Sequence, residues 1–230
     1  MRLLIDKKIK IFIYVIIFFL VSTVNNLNIL TNRVNFFDIK IIDIKGVEES
    51  LTKEIYNSLS FLINKNIFFL DQNTIEKNLN KFNFIEKYEV FREFPSFLSV
   101  KIEKTELVAI KIKENKKYYI GKNGKLIDFS KFESKTKLPY AFGNFSEEEF
   151  FSFLEILRIN KFNINDIKTY YYFANKRWDL KLHNDTLIKF PQKNLDNFVL
   201  IAKSIIKNKN FNKKKVIDLR IPNQVIISYE

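Results

Sequence analysis

Val216-Ile-Asp-Leu-Arg-Ile-Pro-Asn-Gln-Val-Ile-Ile-Ser-Tyr229 is rich in β-branched residues and contains no helix start signal. Pro222 lies in its middle and lacks the backbone donor that a central strand needs, which favours a sheet edge or a bulge. We therefore predict one terminal strand at a sheet edge, with backbone groups free to pair with another chain. The same pattern is compatible with a strand that merely closes a sheet.

The composition indicates one or two folded domains. The chain has 230 residues, of which 47% are hydrophobic and 16% aromatic, enough to build real cores. It contains no Cys, which excludes disulfides and thiolate metal sites. His183 is the single histidine, so a His-based site is disfavoured as well. We predict no cofactor and no metal.

The net charge of +13 raises the question of nucleic-acid binding. The basic residues are overwhelmingly Lys and are scattered among Glu, whereas RNA-binding segments cluster Arg and Lys with aromatic and Gly residues. The pattern favours a solvated basic surface, and we predict neither a nucleic-acid partner nor a small-molecule substrate.

The N-terminal segment has the pattern of a membrane anchor. Residues 1–10 carry four basic residues against one acid, Asp6, and residues 11–24 carry no charge. Extended to Leu30, the apolar segment reaches about 20 residues, enough for a helix to cross a ~30 Å hydrocarbon core. We predict a cytoplasmic tail at 1–10 and a transmembrane helix at 11–30, with the remainder outside the cytoplasm because the basic flank precedes the span. A cleaved signal peptide is the rival interpretation, although no small-x-small cleavage site follows.

The next segment predicts a small α+β module. Alternating apolar residues favour a strand within Asn35–Lys45, and Ser50 is expected to cap a helix. Asp71 is expected to cap a second helix, and strands follow at Phe84–Arg92 and Phe97–Lys104. The order is β-α-α-β-β.

The second region predicts a mostly antiparallel sheet with helices packed against it. Asn123-Gly124 is a hairpin turn signal, and Ser146 to Glu149 is a capping box that opens a helix. Tyr170–Phe190 predicts two strands joined by a turn at Asn184-Asp185, and Leu195–Asn208 predicts a helix.

The sequence lacks the common catalytic motifs. The sequence contains no Walker loop, GxGxxG, GxSxG or HExxH. Glu147, Glu148 and Glu149 open a helix, where carboxylates are stabilised by the positive end of the helix dipole. Glu86 and Glu89 are expected on the solvent-exposed face of a strand. We predict that the chain is not an enzyme.

Eight short patterns resemble, in register, those of the bacterial FtsQ/DivIB cell-division family. They are Ile44-Lys-Gly46-Val47, Asn66-Ile-Phe-Phe-Leu-Asp71, Phe84-Ile-Glu-Lys-Tyr-Glu-Val-Phe-Arg-Glu-Phe-Pro95, Leu98-Ser-Val-Lys-Ile-Glu103, Gly121-Lys-Asn-Gly124, Leu138-Pro139, Arg177-Trp-Asp-Leu180 and Ile217-Asp-Leu-Arg220.

The resemblance implies an α+β protein with a single N-terminal transmembrane helix, a POTRA (polypeptide-transport-associated) domain at 36–104 and a β domain at 105–230. It implies a non-enzymatic divisome scaffold of the inner membrane, concentrated at the septum, with its bulk in the periplasm. Other division proteins are expected to contact the POTRA domain.

The same resemblance implies that the β domain binds the FtsB–FtsL pair by strand addition. By position, that contact falls on Arg220, Ile221, Pro222, Asn223, Gln224, Val225 and Ile226, with Arg177 contributing from an adjoining strand. The implied edge agrees with the edge indicated by Pro222.

Two other functions remain open. One is a POTRA-containing outer-membrane assembly or protein-secretion factor, which predicts tandem POTRA units or a following barrel. The other is a membrane-anchored cell-wall enzyme, which requires a catalytic constellation. A single module followed by a compact domain favours the scaffold over the first, and the missing motifs favour it over the second.

Overall fold

The computed structural model describes residues 7–24, 36–131, 137–208, 214–221 and 223–229. Its first helix, α1, spans Lys7–Val24. Within the described ranges, no helix combines the length and apolarity needed to cross a membrane. The last part of the predicted span, residues 25–30, lies outside the described residues, as does Pro222.

The first folded unit has the predicted β-α-α-β-β order. Its three-stranded sheet runs β1-β3-β2, with β1 parallel and β2 antiparallel to the central β3. The elements are β1 (Ile41–Lys45), α2 (Glu49–Leu59), α3 (Gln72–Leu79), β2 (Ile85–Glu93) and β3 (Phe97–Lys104), with short 3₁₀ turns at Ser60–Leu62 and Ile67–Phe69.

Local signals in this unit are borne out in part. Asp71 caps α3 as predicted, because its carboxylate accepts a hydrogen bond from the Asn73 N–H at 3.1 Å. Ser50 does not cap α2; the helix begins at Glu49, after Glu48, which makes no side-chain cap. β1 begins at Ile41 rather than near Asn35, because the backbone of residues 37–39 bonds instead to residues 64–67.

The second unit is built on a nine-stranded sheet in the order β12-β11-β10-β9-β8-β7-β4-β5-β6. Five of its eight neighbouring pairs are antiparallel and three are parallel, so it is mostly antiparallel. The elements are β4 (Leu107–Lys113), β5 (Lys116–Gly121), β6 (Leu126–Asp128), β7 (Tyr140–Phe142), α4 (Glu147–Ile159), β8 (Ile167–Tyr172), β9 (Trp178–Leu182), β10 (Leu187–Lys189), α5 (Leu195–Lys207), β11 (Lys214–Asp218) and β12 (Ile226–Tyr229).

Helices α4 and α5 pack on one face of the large sheet. The core contains a cross-strand row of Tyr170, Leu180, Ile188 and Ile217, which are opposite one another in successive strands. Phe153 of α4 stacks on Trp178 with ring centroids 5.0 Å apart. α4 begins with the predicted capping box, and α5 ends within one residue of its predicted limit.

Two strand predictions for the second unit are wrong. Residues 167–189 form three strands, because a turn between Phe173 and Arg177 adds a second reversal. The terminal stretch is a hairpin of β11 and β12 rather than one strand. β11 ends at Asp218, and the Gln224 N–H donates to the Ile221 carbonyl at 3.2 Å, closing a turn in which Asn223 has φ 58°.

The two units share a packed boundary. Tyr119 of β5 and Ile127 of β6 belong to the same buried cluster as Leu98 and Val100 of β3. The Asn123 side-chain amide donates to the carbonyls of Asn83 and Ile85 at 2.9 and 3.1 Å. Side chains from one face of the β5–β6 hairpin therefore complete the core of the first unit.

Candidate partner-binding edge of the large sheet

The terminal strand β12 lies at one end of the nine-stranded sheet. It pairs with β11 on one side, with Ile226 opposite Asp218 and Ile227 opposite Ile217. Among the described residues, no strand pairs with its other side. Because alternate residues of an edge strand point their N–H and C=O groups outward, β12 can accept a further strand.

Exposed apolar side chains border this edge. Ile221, Val225, Ile226 and Tyr229 are each between 42% and 49% exposed. Between them, Ile227 packs against the helix-covered core, which holds β12 to the sheet. The edge therefore combines free backbone with apolar surface, as strand addition requires.

A row of charged residues crosses the sheet behind β12. Asp179 of β9 lies opposite Lys189 of β10, which lies opposite Asp218 of β11. The alternate residues Leu180, Ile188 and Ile217 are buried under the helices, so this charged row lies on the other face.

Arg220 pairs with Asp218, the residue of the charged row that lies nearest to β12. Its Nε lies 2.8 Å from Oδ1 of Asp218 and its Nη2 lies 2.5 Å from Oδ2, a fork-to-carboxylate pair. The Arg220 backbone N–H donates to Asp218 Oδ1 as well, at 3.1 Å. These hydrogen bonds from Arg220 lower the pKa of the Asp218 carboxyl below its ordinary value.

Arg177 occupies the other end of the row. Its Nε lies 3.1 Å from Oδ1 of Asp179, and its guanidinium stacks 4.3 Å from the centre of the Phe173 ring. Burial raises the pKa of Asp179, while Arg177 and, at longer range, Arg220 and Lys189 act in the opposite direction. Asp179 therefore links the two arginines electrostatically.

The structure separates the residues predicted for the contact. Arg177 lies just before β9, three strands from β12, so it is not on an adjoining strand. Arg220, Ile221, Asn223, Gln224 and Val225 lie in the β11–β12 connection, and only Ile226 lies in the edge strand itself. Pro222 lies outside the described residues, so its place in the contact stays a prediction.

The predicted edge strand included Ile227, Ser228 and Tyr229, but the contact predicted from the resemblance ended at Ile226 and left these three edge residues out. A signal was present, because Pro followed by Asn is a turn-forming pair, and it divides the stretch into two strands. The acidic partners Asp179 and Asp218 were missed too, although each stands two positions from its arginine.

Two of the three carboxylates considered at the start of α4, Glu147 and Glu149, have structural partners. Glu147 pairs with the buried Lys111 at 2.8 Å. Glu149 accepts from the Ser146 N–H at 2.9 Å and from the Tyr172 hydroxyl at 2.6 Å. Burial, together with the bond to Glu149, raises the pKa of Tyr172 to about 12.

Two family models match the chain, one for each folded unit. "POTRA domain, FtsQ-type" matches residues 37–104, and "Cell division protein FtsQ/DivIB, C-terminal" matches residues 109–220. The chain belongs to the FtsQ/DivIB family of cell division proteins. The second FtsQ/DivIB match ends at Arg220, before β12 begins.

Relatives named "Cell division protein FtsQ" are similar over most of this chain. The protein of Agrobacterium fabrum is 21% identical over 193 residues, 83% of this chain and 61% of its own length. The protein of Rickettsia bellii is 26% identical over 193 residues, 83% of this chain and 72% of its own. That of Rickettsia conorii is 27% identical over 165 residues, 70% and 61% of the two chains. The chain thus spans about three fifths to three quarters of the length of these FtsQ proteins.

Proposed function

We propose that this FtsQ-family chain is a non-enzymatic divisome scaffold that binds the FtsB–FtsL pair by strand addition to β12. The observation that carries the proposal is the position of β12, which has one neighbouring strand, β11, in the described structure. The backbone contact is assigned to Ile226–Tyr229, and the connection from Arg220 to Val225 supplies side-chain contacts beside it.

Backbone pairing alone gives a weak complex. A four-residue edge offers only a few hydrogen bonds, each worth roughly 0.5–1.5 kcal/mol net, and ordering the partner offsets much of that. The apolar side chains of Ile221, Val225, Ile226 and Tyr229 supply burial that backbone pairing lacks. These side chains account for affinity and specificity together.

Arg220 is the charged contact of this site. Two of its guanidinium nitrogens are engaged by Asp218, which orients the fork at the start of the connection to β12. A guanidinium has five donors, so an oriented fork can still donate to a carboxylate of the partner. Arg177 acts through Asp179 on this cluster and does not contact the added strand.

The proposal includes an N-terminal anchor in the inner membrane. Residues 11–30 form the span, residues 1–10 lie in the cytoplasm, and both folded units lie in the periplasm at the division septum. The uncharged segment 11–24, preceded by a basic flank, supports this orientation.

Site-specific photocrosslinking tests the edge. We would replace Tyr229 with a photoreactive phenylalanine derivative and irradiate the full chain together with FtsB and FtsL. A crosslink to FtsB is expected, because an added strand passes within reach of this side chain. Tyr56 of α2 is a matched control, since it is a comparably exposed tyrosine far from β12 in the sequence.

An absent crosslink at position 229, or an equal one at position 56, would contradict the assignment to β12. Arg220→Glu adds a second test, because it places an acid beside Asp218 and removes the fork. Capture of FtsB by this variant should fall, with an unchanged circular dichroism spectrum.

A strand receiver in the POTRA unit is the second candidate function. β2 has one neighbour, β3, among the described strands, and a groove of about 530 Å³ runs between it and α3. A secretion or assembly factor would add a client strand there. A photoreactive group at Phe91, an exposed residue of β2, would then crosslink to unfolded client proteins rather than to FtsB.

A further inference from the structure

Five phenylalanine side chains form an exposed patch at one corner of the POTRA unit. The members of this phenylalanine patch are Phe36, Phe37, Phe68, Phe69 and Phe94, which are 40% to 86% exposed. Ring centroids lie 5.3 Å apart for Phe36 and Phe37, 5.0 Å for Phe37 and Phe68, and 4.8 Å for Phe68 and Phe94. These contacts join Phe36, Phe37, Phe68 and Phe94 into one aromatic surface built from three chain segments. Phe69 follows Phe68 in the chain and is the most exposed of the five.

Backbone hydrogen bonds fix these segments against one another. The Ile67 N–H donates to the Phe37 carbonyl, and the Ile39 N–H donates to the Lys65 carbonyl, both at 2.9 Å. The Lys40 N–H donates to the Ser96 carbonyl, also at 2.9 Å, which ties in the segment that carries Phe94. The patch is therefore built into the fold.

The patch is one of several exposed aromatic sites of the unit, since Tyr56, Phe61 and Phe91 are 40% to 48% exposed as well, and it contains the most exposed of these side chains. Phe84 is buried in the core, whereas Phe69 is the most exposed member of the patch, at 86%. Contiguous exposed apolar surface of this kind marks an interaction site. Lys40 and Lys65 are exposed beside it. The acidic residues nearby are Glu93 and Asp71, both exposed, and Asp38, which is buried next to Phe37.

The position of the patch in the chain identifies what it contacts. Phe36 follows the predicted end of the span at Leu30 by six residues, which extend over at most about 22 Å. A patch tethered this closely stays within reach of the bilayer surface. Aromatic side chains flanked by Lys favour the boundary between headgroups and acyl chains, and Lys is attracted to anionic lipids.

We propose that the phenylalanine patch docks the POTRA unit onto the outer surface of the same bilayer, with Phe69 at the acyl boundary and Lys40 and Lys65 at anionic headgroups. The proposal rests on the anchor at residues 11–30 that belongs to the proposed function. Docking fixes the orientation of the unit, so that β12 is presented at a defined height above the membrane.

A depth measurement with a nitroxide label tests the docking. The chain contains no Cys, so Phe69→Cys provides one unique label site on the full-length protein. The labelled chain is reconstituted into vesicles of equal parts phosphatidylethanolamine and phosphatidylglycerol. Ile159→Cys is the control, because Ile159 is exposed at the end of α4 in the other unit.

We expect the label at position 69 to collide several-fold less with a water-soluble nickel complex than the label at position 159, and more with oxygen. Equal, aqueous accessibility at the two positions in vesicle-anchored protein overturns the docking and assigns the patch to a protein partner. Loss of the unmodified chain from vesicles on alkaline extraction overturns the anchor and, with it, the docking. Equal accessibility of the two labels would leave the crosslink from position 229 to FtsB unchanged. Failure of the docking can therefore be distinguished from failure of the proposed strand addition at β12.

Discussion

Asp179 and Asp218 belong to one charged row and have opposite pKa shifts. Asp218 accepts four hydrogen bonds from Arg220, and these lower its pKa. Asp179 is more deeply buried, and the loss of hydration outweighs its pair with Arg177, so its pKa is raised. One carboxylate therefore stabilises the fold at neutral pH, and the other lowers its stability there.

The effects of Asp218→Asn and Asp179→Asn on the free energy of unfolding should depend on pH in opposite directions. A folded-state pKa below the unfolded value of about 3.9 gives Asp218 a stabilising contribution that is present above that value and lost as pH falls through the folded pKa. At pH 7, Asp218→Asn should cost about 1 kcal/mol, a figure discounted for the partial exposure of Arg220.

For Asp179, the raised pKa means that the folded state takes up a proton first, so the wild type gains stability relative to Asp179→Asn as pH falls through that pKa. Carbon-detected NMR titration of the two carboxyl groups, combined with urea unfolding, checks both directions. Shifts of the same sign would contradict this account of the row.

The residues that could be predicted from sequence are those with local partners. Asp71 and the pair Ser146 and Glu149 act within four residues of their own helices, so a short pattern determines them. The failure at Ser50 has a local cause as well, because Glu48 and Glu49 shift the helix start by two positions. The link between Arg177 and Arg220 could not be predicted, since it depends on three strands aligning.

At the level of elements, the length of a helix or strand decides whether its apolar pattern can be recognised in the sequence. α4 and α5 have 13 residues each. The capping box locates the start of α4, and apolar periodicity locates α5 within about one residue. β6, β7 and β10 have three residues each, too few for an alternating pattern. β6 and β10 are predicted from the turns that precede them, at Asn123-Gly124 and Asn184-Asp185, whereas β7 has no such signal. β7 is held between two parallel neighbours, β4 and β8, which are distant in sequence.

The β11–β12 hairpin depends on one residue in the left-handed region. Asn223 has φ 58°, a conformation that costs a β-branched residue roughly 1–2 kcal/mol. Asn223→Val should therefore loosen β12 and weaken the proposed binding of FtsB roughly five- to thirtyfold, by the equivalence of 1.4 kcal/mol and one factor of ten. Hydrogen exchange of the β12 amides and a binding titration check this.

Asn223→Gly is the matched control, since glycine adopts this conformation without strain. It should retain binding close to that of the wild type. Equal loss of binding in the Val and Gly variants would assign the effect to the Asn side chain rather than to the backbone.

At the level of the whole molecule, one hairpin serves two cores. Ile120 of β5 points into the large-domain core, while Ile127 of β6, opposite Tyr119, packs with the POTRA core. The alternation of a strand sends successive side chains to opposite faces, so a single sheet edge joins the two units. The sequence predicts the hairpin from its Asn123-Gly124 turn but does not identify what packs against either face.

We expect the two units to unfold together in the wild type and separately once their boundary is weakened. Ile127→Ala and Ile120→Ala each remove the same buried atoms, at a cost of about 2–5 kcal/mol. Only the first lies at the boundary, so only Ile127→Ala should separate the transition of the POTRA unit from that of the β domain. Trp178, the single tryptophan, reports the β domain by fluorescence, and exchange of the Leu98 and Val100 amides reports the POTRA unit. Coincident midpoints in Ile127→Ala, or split midpoints in Ile120→Ala, would mean that the shared core does not couple the two units.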